Sequence, residues 1–336
     1  MRGLRLVGWI LAALIVVLLV AITATIGWRP FLGPNARPLT DRTFSPTPER
    51  LARGRYLTED VLHCFACHTE RDWTRHDAPV VAGLGSGNPN FPLKDLPGDV
   101  RPPNITPDKD TGAGNWTDDQ LARAIREGIG FDGRALFPFM PYENYRYLSD
   151  EDLASVVVFL RSIPPVRREV PRTELIVPVR YLIRNAPQPL TEPVPEPDKS
   201  TIEKRGDYLV TIGGCRDCHT PQHEGQRMME LDLAGGFLLR GPWGEVAASN
   251  LTPAPSGIPY YDEALFRDAL RTGWVKARKL APIMPWWNMR GLTDDDVKSM
   301  FAYLRTVPPV AHRVDNSKPQ TACKLCGFSH GAGDQN

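Results

Sequence analysis

Two pentapeptides in this chain carry residues that could do covalent chemistry: Cys64-Phe-Ala-Cys67-His68 and Cys215-Arg-Asp-Cys218-His219. Thiols spaced as Cys-x-x-Cys reach the two vinyl groups of one porphyrin, and the adjacent histidine falls where it can bind the iron from the proximal side. Two copies of the pattern predict two covalently bound haem c groups. An iron held by one histidine needs a second protein ligand to act as a low-spin electron carrier, and methionine is the common choice, raising the reduction potential. Met140 lies 72 residues after His68, and Met284 lies 65 after His219. Both sit between prolines, in Pro138-Phe-Met140-Pro141 and Pro282-Ile-Met284-Pro285, where no helical pattern runs and the backbone is stiff. Such a loop can hold a thioether over a haem face. Methionine is otherwise adaptable core filler. These two occupy equivalent places in repeated sequence, whereas Met228, Met229 and Met289 do not. The remaining histidines, His63, His76, His223, His312 and His330, are unmatched as well, and surface or loop roles are expected for them.

The elements that must position these residues occur twice. Arg53-Gly-Arg-Tyr-Leu57 matches Arg205-Gly-Asp-Tyr-Leu209, and Asn104-Ile-Thr-Pro107 matches Asn250-Leu-Thr-Pro253. Ala122–Gly128 matches Arg267–Gly273, and Met140-Pro-Tyr142 matches Met284-Pro-Trp286. Leu148–Asp152 matches Leu292–Asp296, and Phe159–Val166 matches Tyr303–Val310. The offset drifts from 152 to 144 while the order is kept, so only loops differ in length. The chain divides into an anchor (1–28), a linker (29–46), a first domain (47–168), a proline-rich linker (169–200), a second domain (201–312) and a tail (313–336). Each domain reads as helical. Thr117-Asp-Asp-Gln120 is a capping box, followed by Leu121, Ala124, Ile125 and Gly128 on one face. Helices starting at Ser149 and Thr293 run into Pro164-Pro165 and Pro308-Pro309. Gly54 and Gly206 lie in the helix before each haem motif and cost helix propensity. That cost is offset if a second helix must cross closely there, with Phe159 or Tyr303 as the partner.

Basic and acidic residues number 40 and 39, a balance that argues against nucleic acid as a partner. From Leu6 to Trp28 no residue is charged, and these 23 apolar positions suffice to cross a bilayer core of about 30 Å. Arg2 and Arg5 precede the run, so the positive-inside rule sends the rest of the chain outward. A cleaved signal would have a shorter apolar region and a better small-x-small site than Ala21-Ile-Thr-Ala24. The expected location is therefore the cytoplasmic membrane, single-pass, with the haem domains on the periplasmic side.

Cys323-Lys-Leu-Cys326 lacks the following histidine. Three readings compete: a local disulfide in an oxidising compartment, a redox-active thiol pair, or a metal site with His330 that still needs a fourth ligand. The last residues, Gly331–Asn336, are polar and expected to be flexible.

Both copies resemble class I cytochrome c domains. Cys-x-x-Cys-His, Asn-Ile-Thr-Pro, Trp116-Thr-Asp, Asp132-Gly133, Met-Pro-Tyr and the Ser-Asp-Glu-Asp helix ending in Pro-Pro-Val are together similar to the cytochrome subunits of membrane-bound alcohol and sugar dehydrogenases. Those subunits usually carry three haem motifs and often a C-terminal anchor; here there are two motifs and an N-terminal apolar run. The resemblance implies a mainly α fold of two tandem class I cytochrome c domains behind an N-terminal transmembrane helix. It implies thioethers at Cys64, Cys67, Cys215 and Cys218, proximal iron ligands at His68 and His219, and distal ligands at Met140 and Met284. It also implies that Thr106 and Thr252 lie near the haem edges. The expected function is electron transfer between a respiratory dehydrogenase or quinol-oxidising complex and a terminal acceptor, with redox proteins and the membrane as partners. A dihaem peroxidase or thiosulfate-type enzyme is the alternative of a different class, disfavoured because both Met-Pro loops are intact. A fixed dihaem subunit of a terminal oxidase complex is the third reading.

Overall fold

The computed structural model describes residues 2–336. Its first element, α1 (Arg2–Ala24), is uncharged after Arg5 and buries none of its residues against the rest of the chain. At 1.5 Å per residue it is about 34 Å long, enough to cross a bilayer core. The helix stops at Ala24, short of the uncharged run's end at Trp28.

The remainder is mainly helical. In the N-terminal half, α2 (Pro48–Tyr56), α3 (Asp118–Glu127) and α4 (Asp150–Ser162) are the longest helices. In the C-terminal half the corresponding helices are α5 (Ile202–Ile212), α6 (Glu263–Thr272) and α7 (Asp294–Leu304). The caps read from sequence are made. The Thr117 hydroxyl accepts from the Gln120 N–H at 3.1 Å while the Gln120 side chain accepts from the Thr117 N–H at 2.8 Å. Ser149 and Thr293 cap α4 and α7 through the N–H groups of Asp152 and Asp296.

In each half the first helix crosses the last. A Cβ on Gly54 would lie 1.9 Å from the Ser155 carbonyl oxygen and 2.7 Å from the Phe159 Cβ. A Cβ on Gly206 would meet the Ser299 carbonyl oxygen at 1.9 Å and the Tyr303 Cβ at 2.8 Å. No other residue fits at either crossing. One difference interrupts the match. Seven positions separate Leu57 from Cys64, but six separate Leu209 from Cys215. The additional residue is absorbed in a wide turn over Leu57–Val61, where the Leu62 N–H reaches five residues back to the Leu57 carbonyl.

The halves share one hydrophobic core, running from Leu57, Phe65 and Leu153 to Leu209, Met300 and Leu304. They also exchange contacts. The Tyr56 hydroxyl of α2 donates to Asp296 of α7 at 2.5 Å, and the Tyr208 hydroxyl of α5 donates to Asp152 of α4 at 2.7 Å. Each aspartate is also held by its own half, by Arg205 and Arg53 respectively. Asn144 reaches Asp217 at 2.6 Å, and its equivalent Asn288 donates to the Glu59 carbonyl.

Segment 29–46 lies along the first half. Arg37 is buried, with two guanidinium N–H groups on the Asp119 carboxylate at 2.7 Å and a third on Glu127 at 2.8 Å. Segment 169–200 packs back as well: Glu174-Leu175 pairs with Gly98-Asp99, and the Glu196 carboxylate accepts from the Ser149 hydroxyl at 2.7 Å. The C-terminal residues, expected to be flexible, are built into structure. Gln320–Ala322 pairs with Ser329–Gly331, and a 3-10 turn spans Gly333–Gln335. The reason is a buried knot of side chains under this hairpin, which polar composition does not reveal.

Candidate haem sites

Cys64–Cys67 and Cys215–His219 each form one helical turn entered through a residue in the left-handed region: His63 at φ 55° and Gly214 at φ 69°. The turn puts both thiols and the histidine on one side of the chain. His68 Nδ1–H donates to the Pro103 carbonyl at 2.7 Å, and His219 Nδ1–H donates to the Ser249 carbonyl at 2.7 Å. These bonds fix ring orientation and tautomer and leave both Nε2 lone pairs free for a metal. Burial pushes both imidazoles below the ordinary histidine range, so they are neutral donors. Burial also pushes the thiols up, to about 12 at Cys64 and Cys218 and about 11 at Cys67 and Cys215. These are thiols rather than thiolates near neutral pH.

The methionine loops are built alike. Met140 N–H donates to the Phe137 carbonyl and Met284 N–H to the Ala281 carbonyl, both at 3.0 Å. The prolines that follow have nearly the same backbone angles, φ −81° and ψ 48° at Pro141, φ −79° and ψ 46° at Pro285. The next aromatic anchors the loop. Tyr142 and Trp286 lie over Gly128 and Gly273, the left-handed caps at φ 69° and 73° that end α3 and α6. A side chain there would strike the ring at 2.5 Å or 2.4 Å.

Cys64, Cys67, His68 and Met140 line the same cavity as Cys215, Cys218, His219 and Met284. Its volume is about 2880 Å³, several times the roughly 300–1,000 Å³ of a single ligand pocket. All eight residues singled out in the sequence are thereby brought to one continuous space. The walls between the clefts are aromatic: Trp73 packs edge-on to Trp243 and Trp287 at centroid distances of 5.5 and 6.0 Å. Two thiols, a neutral imidazole and a thioether on apolar walls fit one haem c in each cleft.

Thr106 and Thr252, expected at the haem edges, are engaged in a loop-holding network. Both are fully buried, and their hydroxyls donate to Asn104 and Asn250 at 2.7 Å. The asparagine amides in turn hold the Val166 and Val310 carbonyls after the last helix of each half. The neighbours Ile105 and Leu251 line the cavity instead. The motifs differ at both positions between the cysteines, Phe65 against Arg216 and Ala66 against Asp217. Asp217 stands where the first motif has Ala66; burial is the main cause pushing its carboxyl up to about 6, against the opposing pull of Arg227.

Among the unmatched histidines, His76 stacks on Trp286 with centroids 4.7 Å apart, and His223 is exposed. His312 and His330 depart from the expected surface or loop roles. Both are fully buried and face each other, because the C-terminal hairpin folds back over the loop that carries His312. His312 stands at the place in the repeat where the first half has Arg168, and its partners lie beyond the repeat.

The cytochrome c family matches residues 51–164. The chain is similar to the diheme cytochrome c-type protein of Cereibacter sphaeroides, with 30% identity over 74% of this chain and 82% of that protein. It is similar to the fructose dehydrogenase cytochrome subunit of Gluconobacter japonicus, 31% identical over 88% of this chain and 59% of that subunit. It also resembles the cytochrome c subunit of the quinone alcohol dehydrogenase of Gluconacetobacter polyoxogenes, 31% identical over 77% of this chain and 56% of that subunit. The chain thus spans less than two thirds of the length of these two dehydrogenase subunits. Relatives of this kind transfer electrons through covalently bound haem c, and on the attachment motif, the matched residues and the diheme relative, the chain belongs to the cytochrome c family.

Proposed function

We propose that this chain is a dihaem electron-transfer subunit held at the cytoplasmic membrane by α1, with both haem domains on the periplasmic side. Domains 47–168 and 201–312 each carry one haem c. Cys64, Cys67, Cys215 and Cys218 hold the porphyrins, His68 and His219 bind iron proximally, and Met140 and Met284 bind it distally. The observation that carries this reading is that two independent clefts repeat the histidine–carbonyl bond at 2.7 Å and the methionine turn, and open into one cavity.

Haem supplies one-electron chemistry, its iron cycling between ferrous and ferric. The chain's residues orient and insulate. The Pro103 and Ser249 carbonyls hold the imidazoles in place, and the Met-Pro turns would close the distal side. The named dehydrogenase relatives suggest a membrane dehydrogenase as electron donor and a respiratory component as acceptor.

Optical titration of the purified holoprotein tests the proposal. Two haems per chain, low-spin when reduced and inert to carbon monoxide, are expected. Met140→Ala and Met284→Ala should each open one haem, raising carbon monoxide binding from none to one equivalent per chain. Rapid binding to the unaltered protein would overturn the carrier reading in favour of an enzyme.

A further inference from the structure

His312, Cys323, Cys326 and His330 are all buried, and one ligand atom from each lies within 4.8 Å of the others. The histidines arrive with their tautomers set. His312 Nδ1–H donates to the Ala234 carbonyl at 2.9 Å and His330 Nδ1–H to the Gly331 carbonyl at 3.0 Å. Both Nε2 atoms therefore carry lone pairs, and these face each other across 3.0 Å. Two acceptors at that distance repel unless a cation lies between them. Cys323 Sγ is 3.4 Å from His312 Nε2, and the Asn336 amide donates to the same sulfur at 2.9 Å. In a tetrahedral zinc site with Zn–N near 2.0 Å and Zn–S near 2.3 Å, ligand atoms lie about 3.3–3.8 Å apart, close to this spacing. The Cys-x-x-Cys spacing, a closed four-residue shell and a ligating atom held by an outer hydrogen bond are the marks of a structural zinc site. The missing fourth ligand of the sequence reading is His312.

We infer that His312, Cys323, Cys326 and His330 bind one zinc ion that fastens the C-terminal hairpin to the second half of the molecule. The apolar surroundings, with Leu231, Ala234 and Val310, leave no open coordination position for catalysis. The fastened side is the proximal side of the second cleft. His312's carbonyl accepts from Asn250, its ring is held by Ala234, and the adjoining Gly235 N–H binds the His219 carbonyl at 2.7 Å. Metal binding releases the thiol protons and leaves both cysteines reduced.

The test is metal analysis of the full-length holoprotein with X-ray absorption at the zinc edge. One zinc per two haem irons is expected, with two sulfur neighbours near 2.3 Å and two nitrogen neighbours near 2.0 Å. Cys326→Ser and His330→Ala should each lower zinc content at least tenfold while both haems stay attached. The absorption measurement on the unaltered protein stands even if those variants fold poorly. A Cys323–Cys326 disulfide in non-reduced peptide maps, or zinc well below one per chain, would overturn the assignment.

Discussion

The two halves of this molecule repeat what faces the cavity and diverge in what holds the outside. His68 and His219, Met140 and Met284, Gly54 and Gly206 are superposable in role, down to the same carbonyl and the same turn. Outside the clefts the first half is braced by ion pairs. Arg37 enters between Asp119 and Glu127, and Arg168 pairs with Glu70. The second half has Ala264 and Thr272 in place of those two carboxylates, Pro221 in place of Glu70, and His312 in place of Arg168. There the Cys/His knot of the C-terminal hairpin takes that place, beside ion pairs such as Arg216–Asp232 at 3.1 Å. The difference teaches that the cavity residues are constrained by what they must hold, while the same external position can be secured by charge in one copy and by metal-binding donors in the other.

The comparison can be broken first at Arg37. Arg37→Ala removes the cation hydrogen-bonded to both Asp119 and Glu127, leaving Arg42 at 3.8 Å from Asp119, a loss of about 3–5 kcal/mol for a broken buried network. Because the halves share one core and exchange the tyrosine–aspartate bonds, both haem spectra should change together at a lowered melting temperature. Loss of the first half's signal alone would show that the halves melt independently. Gly54→Ala and Gly206→Ala sharpen the shared part. Either should cost about 1–3 kcal/mol or more, since the new methyl group meets a backbone oxygen in both crossings. Unequal losses, read from denaturant midpoints, would mean that the wide turn at Leu57–Val61 lets one crossing relax. The smallest effect is at Asp60, beside Gly291 of the other half. Burial, aided by Glu59, pushes its carboxyl from the ordinary 3.8 up to about 6. The folded protein thus binds this proton more tightly than the unfolded chain. That contribution is present below the ordinary value and is lost as pH rises through about 6. Asp60→Asn should remove this slope, so its melting temperature should exceed the unaltered protein's near pH 7 and approach it near pH 4. Parallel melting curves across that range would rule the effect out.

Much of this was legible in the sequence because it was written twice. Capping at Thr117 and Ser149, the Gly54–Phe159 crossing and the Met-Pro turns rest on local patterns that a second copy makes hard to mistake. What escaped was written once or across long separations. Arg37 finds carboxylates more than eighty positions away, on the charged side of a helix whose apolar face carries the sequence signal. The wide turn has a signal in the sequence, the single additional residue between Leu57 and Cys64, but spacing alone does not say where a helix will swell. His312 was unreadable as a ligand because its partners lie beyond the repeat, and folding back is what joins them. At Thr106 and Thr252 the resemblance speaks only of nearness to the haem edge; that their hydroxyls tie the loop to the segment after the last helix is visible only in the fold.

The crossed tyrosines carry a consequence for how the chain came to be one piece. Tyr56 reaches Asp296 while Tyr208 reaches Asp152, and the hydroxyls also face the Thr293 and Ser149 N–H groups that open the opposite helices. Repeats stacked head to tail use one surface on each unit to grip a different surface on the next. Here the same residues act on both sides, with donor and acceptor exchanged. That reciprocity is the geometry of an isologous two-fold interface. The molecule is in this sense a dimer whose subunits are joined by residues 169–200, and a single half expressed alone would present a ready-made surface for pairing with another copy of itself.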